Sequence, residues 1–185
     1  MTTYKTKYRN YIVNVYVPER KSGRVVLLLP GLPMSTNIHA ILGTFLDSGA
    51  IVFYPYFSGS YDSEGIFSPA QSIRDVAELY PLVKMTSITE LYFGKHIELG
   101  TPREIILAGM SYGAVVALVG HKDLYDKIIL LSPALLYNPK DIGGRNGKEF
   151  NEQMRRLLQF LKKAYILTYR TGTTRNLEAF LCGKS

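Results

Sequence analysis

The residues whose types and spacing best suit them for chemistry form one segment, Gly109-Met110-Ser111-Tyr112-Gly113. An apolar run rich in β-branched residues precedes this segment and predicts a buried strand. A run of small apolar residues follows it and predicts a buried helix. Glycine-x-serine-x-glycine at a strand-to-helix turn is typical of a nucleophile elbow, in which the serine stands at the tip of a sharp turn. We therefore predict that Ser111 is a nucleophile; the alternative is a buried turn that contains a serine by chance.

The two flanking glycines have a steric explanation. Residues two positions before and two positions after the tip of such a turn lie close to neighbouring backbone, so they must be small. Gly109 and Gly113 meet this requirement. The helix that follows directs its free N–H groups at the space above Ser111, which favours a negative charge that develops there.

The chain resembles the α/β-hydrolase superfamily at four places that follow the order and spacing of that family. Besides the elbow, residues 27–33 look like its strand and oxyanion loop, residues 58–65 like its Gly/Ser-rich loop, and residues 128–134 like the strand after the elbow helix. The resemblance covers roughly residues 1–138. It implies a serine hydrolase that acts on ester, thioester or other acyl bonds of a small-molecule substrate, with no cofactor.

The resemblance also assigns an oxyanion hole. In this family a backbone N–H of the loop after the early strand acts together with the N–H that follows the nucleophile. By position these donors are Leu32 and Tyr112 in this chain. If Ser111 is not a nucleophile, the loop around Leu32 is a plain strand-to-helix connection. No metal-ligand spacing, phosphate-binding loop or dinucleotide motif is present in the sequence, so we expect neither a metal nor a cofactor.

The alternation of strand and helix patterns predicts the fold class. The predicted strands are 3–8, 11–17, 24–29, 50–57 and 127–131, and the predicted helices are 38–48 and 69–85. This order implies an α/β fold with a mostly parallel sheet and helices on both faces. Because crossovers are right-handed, the loop after residue 29, the loop 58–65 and the elbow converge at the carboxyl ends of the strands.

A serine hydroxyl becomes a good nucleophile only when a base takes its proton, and a carboxylate usually orients that base. The family order is serine, acid, histidine, and none of the three histidines of this chain lies in the family's position. We expect His96 and His121 at the sheet edge opposite Ser111. His39 begins the helix after the oxyanion loop, on the correct side, and is a possible base; the alternatives are that it is a surface residue at a helix N-terminus and that the base and the acid come from missing sequence or another chain. Asp141 lies where some relatives place the acid.

After residue 138 the pattern changes. We predict a helical lid-like or tail segment over residues 139–185, with an amphipathic helix at 151–163. No segment after residue 138 has the pattern of the strands that would carry the acid and the histidine, which predicts a truncated α/β-hydrolase fold with an open apolar edge at Lys127–Leu131. Three explanations stay open. The chain is a truncated or split relative of a longer hydrolase, its edge pairs with a second copy or another chain, or it is a non-catalytic binding protein.

Composition and charge exclude several classes of function. The chain is 46% apolar and 20% charged, it contains one cysteine, and it has no apolar run long enough to cross a bilayer and no signal-peptide core. We therefore expect a cytoplasmic protein. Residues 1–138 carry 12 basic and 11 acidic side chains, whereas residues 139–185 carry 10 and 4. No stacking or groove-reading motif accompanies this basic segment, so we do not expect nucleic-acid binding.

Overall fold

The computed structural model describes residues 1–32 and 38–133, together with the backbone of one strand at residues 164–167. Its elements in chain order are β1 (Thr2–Tyr8), β2 (Tyr11–Val17), β3 (Arg24–Leu29), α1 (His39–Asp47), β4 (Ile51–Pro55), α2 (Pro69–Val83), β5 (Ser87–Thr89), β6 (His96–Glu98), β7 (Glu104–Met110), α3 (Tyr112–Gly120), β8 (Lys127–Leu131) and β9 (Ala164–Leu167). Within these described segments, none of the helices combines the length and the hydropathy needed to cross a membrane.

Seven of the strands form one sheet in the order β1-β2-β4-β3-β7-β8-β9, and β5 pairs with β6 in a separate hairpin. The pairs β1–β2 and β2–β4 are antiparallel, whereas the strands from β4 to β9 run parallel to one another. The predicted fold class, a mostly parallel sheet in an α/β protein, is confirmed. The elbow turn between β7 and α3 therefore lies at the carboxyl edge of the parallel strands.

The core has two layers, one on each face of the sheet. Alternate residues of the central strands point to opposite faces, so Leu27 packs in one layer and Leu28 in the other. Helices α2 and α3 cover the first face, and α1 covers the second. This explains why β3 is a continuous apolar run, because both of its faces are buried.

The prediction that Lys127–Leu131 forms an open edge is wrong. Strand β9 pairs with β8 in parallel, from Ile128 opposite Ala164 to Leu131 opposite Leu167. The edge is covered by the same chain, so a homodimer partner or a second chain has no free edge of β8 to pair with. A strand of four residues has too few positions for its period to be read from sequence, and pairing decides its conformation. The rest of segment 139–185, including the predicted helix at 151–163 and Asp141, lies outside the described residues.

Three buried tyrosines of the core allow us to predict how stability changes at alkaline pH. Tyr11, Tyr54 and Tyr125 are at most 4% exposed. Burial raises the pKa of each phenol, and for Tyr11 the hydrogen bond with Glu78 acts in the same direction. Above the ordinary tyrosine pKa of about 10, the unfolded chain loses protons that the folded chain keeps. We therefore expect the free energy of unfolding to fall as the pH rises beyond about 10.

This expectation can be measured by following phenolate absorbance and circular dichroism together during an alkaline titration. Tyr11, Tyr54 and Tyr125 should ionise only as the protein unfolds, because burial raises the pKa of each of them. Tyr125→Phe should therefore reduce the absorbance change that accompanies unfolding. A single ionisation of all 14 tyrosines in a protein that keeps its native dichroism would contradict the expectation.

Candidate active site

Ser111 stands between the last residue of β7 and the first residue of α3. Its backbone has φ 50° and ψ −113°, a conformation that residues with a Cβ rarely adopt. Its N–H donates to the carbonyl of Leu131 in β8 at 2.9 Å, which fixes the turn to the neighbouring strand. A conformation of this kind costs about 1–3 kcal/mol and persists only where surrounding structure enforces it. The side chain is half-buried.

The two elbow glycines are required by close backbone contacts. A Cβ atom added to Gly109 would overlap the carbonyl group of Gly113. A Cβ atom added to Gly113 would lie 2.5 Å from the carbonyl oxygens of both Leu29 and Pro30. The end of β3 and the loop that follows it are therefore packed directly on the first turn of α3.

The predicted oxyanion loop lies beside Ser111. A Cβ atom added to Gly31 would lie 3.3 Å from the Cβ of Ser111. Leu32 follows and is 38% exposed. Tyr112 is the first residue of α3, so its N–H has no acceptor within the helix. The structure thus brings the loop and the helix N-terminus to one place; that the N–H groups of Leu32 and Tyr112 bind an oxyanion stays a prediction.

An aromatic wall adjoins the elbow. The ring of Tyr112 packs edge-on against Phe57, with the centroids 5.7 Å apart, and lies 6.1 Å from the ring of Phe67. The hydroxyl of Tyr112 is buried and has no hydrogen-bond partner in the described structure. Ile66, next to Phe67, is 81% exposed. Tyr112, which directly follows Ser111, is therefore held in an aromatic cluster of which Phe67 is partly exposed.

Asp75 of α2 fixes the loop 58–65 and was not singled out from the sequence. It is fully buried, and its carboxylate accepts hydrogen bonds from the N–H of Ser58 at 2.9 Å and from the hydroxyl of Ser58 at 2.8 Å. It also accepts from the hydroxyl of Tyr11 at 3.0 Å and from the amide of Gln71 at 2.8 Å. In an amphipathic helix, a charged residue such as Asp75 is normally expected on the solvent-exposed face. The sequence therefore did not predict that Asp75 is buried and anchors the loop; only the tertiary packing shows this.

Ser132 is a second residue that sequence reasoning missed. It follows β8 directly, has φ 43°, and its hydroxyl oxygen is buried with no partner in the described part of the chain. Because the preceding residue, Leu131, accepts the hydrogen bond from Ser111, Ser132 lies beside the elbow. The available signal was its position, since polar residues at the carboxyl ends of parallel strands lie where α/β sheets bind ligands.

The three histidines occupy different places. His39 is the first residue of α1 and is exposed. His96 lies in the β5–β6 hairpin and bonds to Glu98 at 3.0 Å. His121 caps the far end of α3, about 15 Å along the helix from Ser111. Among the contacts of residues 1–32 and 38–133, none joins a histidine to Ser111.

Comparisons with known proteins agree with this architecture. The chain matches no protein-family model and no curated protein. Among solved structures, it is similar to Est1E of Butyrivibrio proteoclasticus, solved with ferulic acid bound, at a TM-score of 0.63 and 14% identity, covering 97% of this chain and 98% of that one. It is also similar to XC6422 of Xanthomonas campestris, an α/β serine hydrolase without a lid, at a TM-score of 0.61 and 14% identity, over 99% and 92% of the chains.

A third similar structure is an α/β serine hydrolase homologue from Coxiella burnetii, with a TM-score of 0.60 and 12% identity over 97% of this chain and 95% of that one. The chain therefore has an α/β-hydrolase fold. The matches extend well beyond residues 1–138, the part in which sequence motifs are recognisable. Sequence identities of this size show the fold alone.

Proposed function

We propose that this chain with an α/β-hydrolase fold is a serine hydrolase of the esterase or acyl hydrolase type, with Ser111 as its nucleophile. The backbone conformation of Ser111 carries the proposal. A serine with φ 50° between a buried strand and a helix is strained, and strain of this kind is concentrated at functional sites. A buried turn without chemistry would accept glycine at this position at lower cost.

The reaction that we propose is acyl transfer through a covalent intermediate. The Oγ of Ser111 attacks the carbonyl carbon of the substrate, its proton passes to a base, and the carbonyl π electrons move to the oxygen. The N–H groups of Leu32 and Tyr112 hold this oxyanion. When the carbonyl re-forms, the bond to the alcohol or thiol breaks and the base returns its proton to the leaving group. Water then releases the acid by the same steps.

His39 is the candidate for the base. It is exposed at the start of α1, and this helix follows the loop that packs on the elbow. The carboxyl edge of the sheet thus carries both Ser111 and His39. A base that is positioned on the nucleophile contributes about 10²–10⁴-fold to the rate, so its removal is measurable.

The aromatic wall supports an apolar acyl group as the part of the substrate next to Ser111. Of the three rings in this wall, Phe57 is fully buried, whereas Phe67 is 37% exposed and can contact a substrate. Sites for small molecules are commonly apolar with a few polar groups that set the orientation. We propose that Phe67 contacts the acyl portion and that the oxyanion loop lies across the carbonyl.

Covalent labelling with a fluorophosphonate tests the proposal. The Oγ of an activated Ser111 forms a bond to phosphorus, fluoride leaves, and the proton passes to the base. We expect a single adduct by intact mass in the wild-type protein and none in Ser111→Ala. Ser48→Ala, which removes a half-buried serine next to the end of α1, should be labelled like the wild type. His39→Ala should slow labelling by about 100-fold or more.

The labelling result separates the proposal from its alternative. An adduct that persists in Ser111→Ala would place the reactive group elsewhere. Folded wild-type protein that gives no adduct would overturn the hydrolase proposal.

A non-catalytic binding protein is the second candidate function. The observation that favours it is that no described contact joins a histidine to Ser111. In that case the protein would use the same fold to bind a ligand near the elbow without catalysing a reaction. Labelling distinguishes the two candidates, because a serine without a base does not react with the probe at a useful rate.

A further inference from the structure

A pocket lies on the face of the sheet that α1 covers. Helix α1 packs over the central strands, and the antiparallel strands β2 and β1 extend beyond it. The register of these strands places Asn14 beside Tyr54 and Tyr16 beside Thr3 on that face. The result is a pocket of about 370 Å³. Its lining includes four tyrosines, one asparagine and one histidine: Tyr16, Tyr54, Tyr56, Tyr61, Asn14 and His39.

Tyr54 is the observation that points to a ligand. This tyrosine lines the pocket and is 4% exposed, yet its hydroxyl oxygen has no hydrogen-bond partner in the described structure. A buried hydroxyl without a partner is costly, and native proteins rarely keep one without a reason. A ligand in the pocket that hydrogen-bonds to this hydroxyl would remove the cost.

The surrounding groups define what kind of ligand fits. Burial raises the pKa of both Tyr16 and Tyr54, and the neighbouring phenols act in the same direction, so these hydroxyls stay neutral. Among the described lining residues there is no aspartate, glutamate, lysine or arginine side chain. Met1 is part of the lining, and its N-terminal ammonium pairs with Glu19 at 3.3 Å. The described lining therefore favours an uncharged ligand.

The pocket combines ring faces with hydroxyl and amide groups. The rings of Tyr56 and Tyr61 lie 5.1 Å apart at a tilt, and Asn14 donates from its amide to the hydroxyl of Tyr56 at 3.2 Å. Aromatic rings of this kind have an apolar face and a polar hydroxyl. An uncharged ring can pack one apolar face on these rings while its own hydroxyl groups hydrogen-bond to the phenols and the amide.

We propose that this tyrosine pocket is a ligand site for an uncharged ring that carries hydroxyl groups. A sugar and a phenol share this chemistry. His39 lines the pocket from the first turn of α1, which begins at the same edge of the sheet as the elbow. The site is made by β1, β2, β4, α1 and the loop after β4, and it does not include Ser111.

Titration of isotope-labelled protein by NMR tests the site, with methyl β-glucopyranoside as the sugar probe and 4-hydroxybenzyl alcohol as the phenol probe. We expect saturable shifts with at least one probe, and the probe that binds identifies the source. Tyr54→Phe keeps the ring and removes only the hydroxyl, so it should weaken binding by about tenfold. Tyr80→Phe changes a half-buried tyrosine of α2 on the other face of the sheet and should bind like the wild type.

Two outcomes would overturn the proposal. One is the absence of saturable shifts with both probes. The other is binding that is equally strong in Tyr54→Phe, with the variant shown to be folded by its own spectrum. Ser111→Ala should bind the probe like the wild type, so failure of the pocket and failure of the hydrolase proposal give different results.

Discussion

Gly113→Ala is expected to lower the free energy of unfolding by about 3 kcal/mol, at the upper end of the cost of overpacking. The new methyl group would lie 2.5 Å from two backbone oxygens, those of Leu29 and Pro30, and neither can move away by rotating a side chain. The strand end and the loop at Gly31 must therefore shift. Because this loop lies against Ser111, we also expect fluorophosphonate labelling to be lost. Urea unfolding and intact mass measure the two effects.

Gly43→Ala is the matched control for this substitution. Gly43 lies inside α1, and a Cβ atom added to it meets nothing within 4 Å. Alanine is the better helix former, so this change should stabilise the protein by about 0.5–1 kcal/mol. If Gly113→Ala behaves like Gly43→Ala, the close packing of the loop on the elbow is not present in solution.

Asp75→Ala is expected to lower the free energy of unfolding by about 1–3 kcal/mol for each buried donor that loses its acceptor. The loss leaves the N–H of Ser58 and the amide of Gln71 without their acceptor inside the protein. Tyr11 keeps its bond to Glu78 at 2.5 Å, which limits the damage at that hydroxyl. Chemical denaturation measures the change in the free energy of unfolding. An equal dependence of that free energy on denaturant concentration in the wild type and the variant shows that their unfolded states are comparable.

Asp62→Ala is the control for Asp75→Ala. Asp62 lies in the same loop that Asp75 anchors, but its side chain is 61% exposed and pairs with Lys5 at the surface at 2.8 Å. An exposed ion pair contributes about 0–1 kcal/mol, so this variant should remain close to the wild type in stability. Equal losses in the two variants would mean that burial of the Asp75 network does not stabilise the loop.

Gly113→Ala and Asp75→Ala each perturb one of two loops that lie at the carboxyl edge of the parallel strands. Gly113 sets how closely the loop after β3 approaches the elbow, and Asp75 sets where the loop after β4 lies. Both loops end parallel strands at the carboxyl edge. The loop after β3 packs against Ser111 and helps to maintain its strain, because a strained conformation persists only when the surrounding structure enforces it.

Much of the fold follows from local patterns in the sequence. The strands β3, β7 and β8 are short apolar runs with turn residues at their ends, and the helices begin where prediction places them to within one residue. Local backbone sterics explain this success. The length of an apolar run, together with the glycine and proline residues that flank it, determines where a strand or helix can begin and end. The elbow is local in the same sense: its five residues are contiguous.

Strand β9 shows where local patterns fail. Its four residues become a strand only by pairing with β8, which lies more than 30 residues earlier in the chain. Such pairing depends on the tertiary fold, and the sequence led to the wrong expectation of an open edge at Lys127–Leu131. The buried carboxylate of Asp75 is a similar case, since its donors come from β2, the loop after β4 and its own helix.

The sequence by itself determined the α/β class, the order of the central strands along the chain and the turn that holds Ser111, because these depend on neighbouring residues and on steric rules. Only the tertiary structure decided which distant groups meet. It packed Gly31 beside Ser111, buried Asp75 under the loop 58–65, and gathered Tyr16, Tyr54 and Tyr56 into one pocket. The physical reason is sheet order: β2 and β4 become neighbours although β3 and α1 lie between them in the chain.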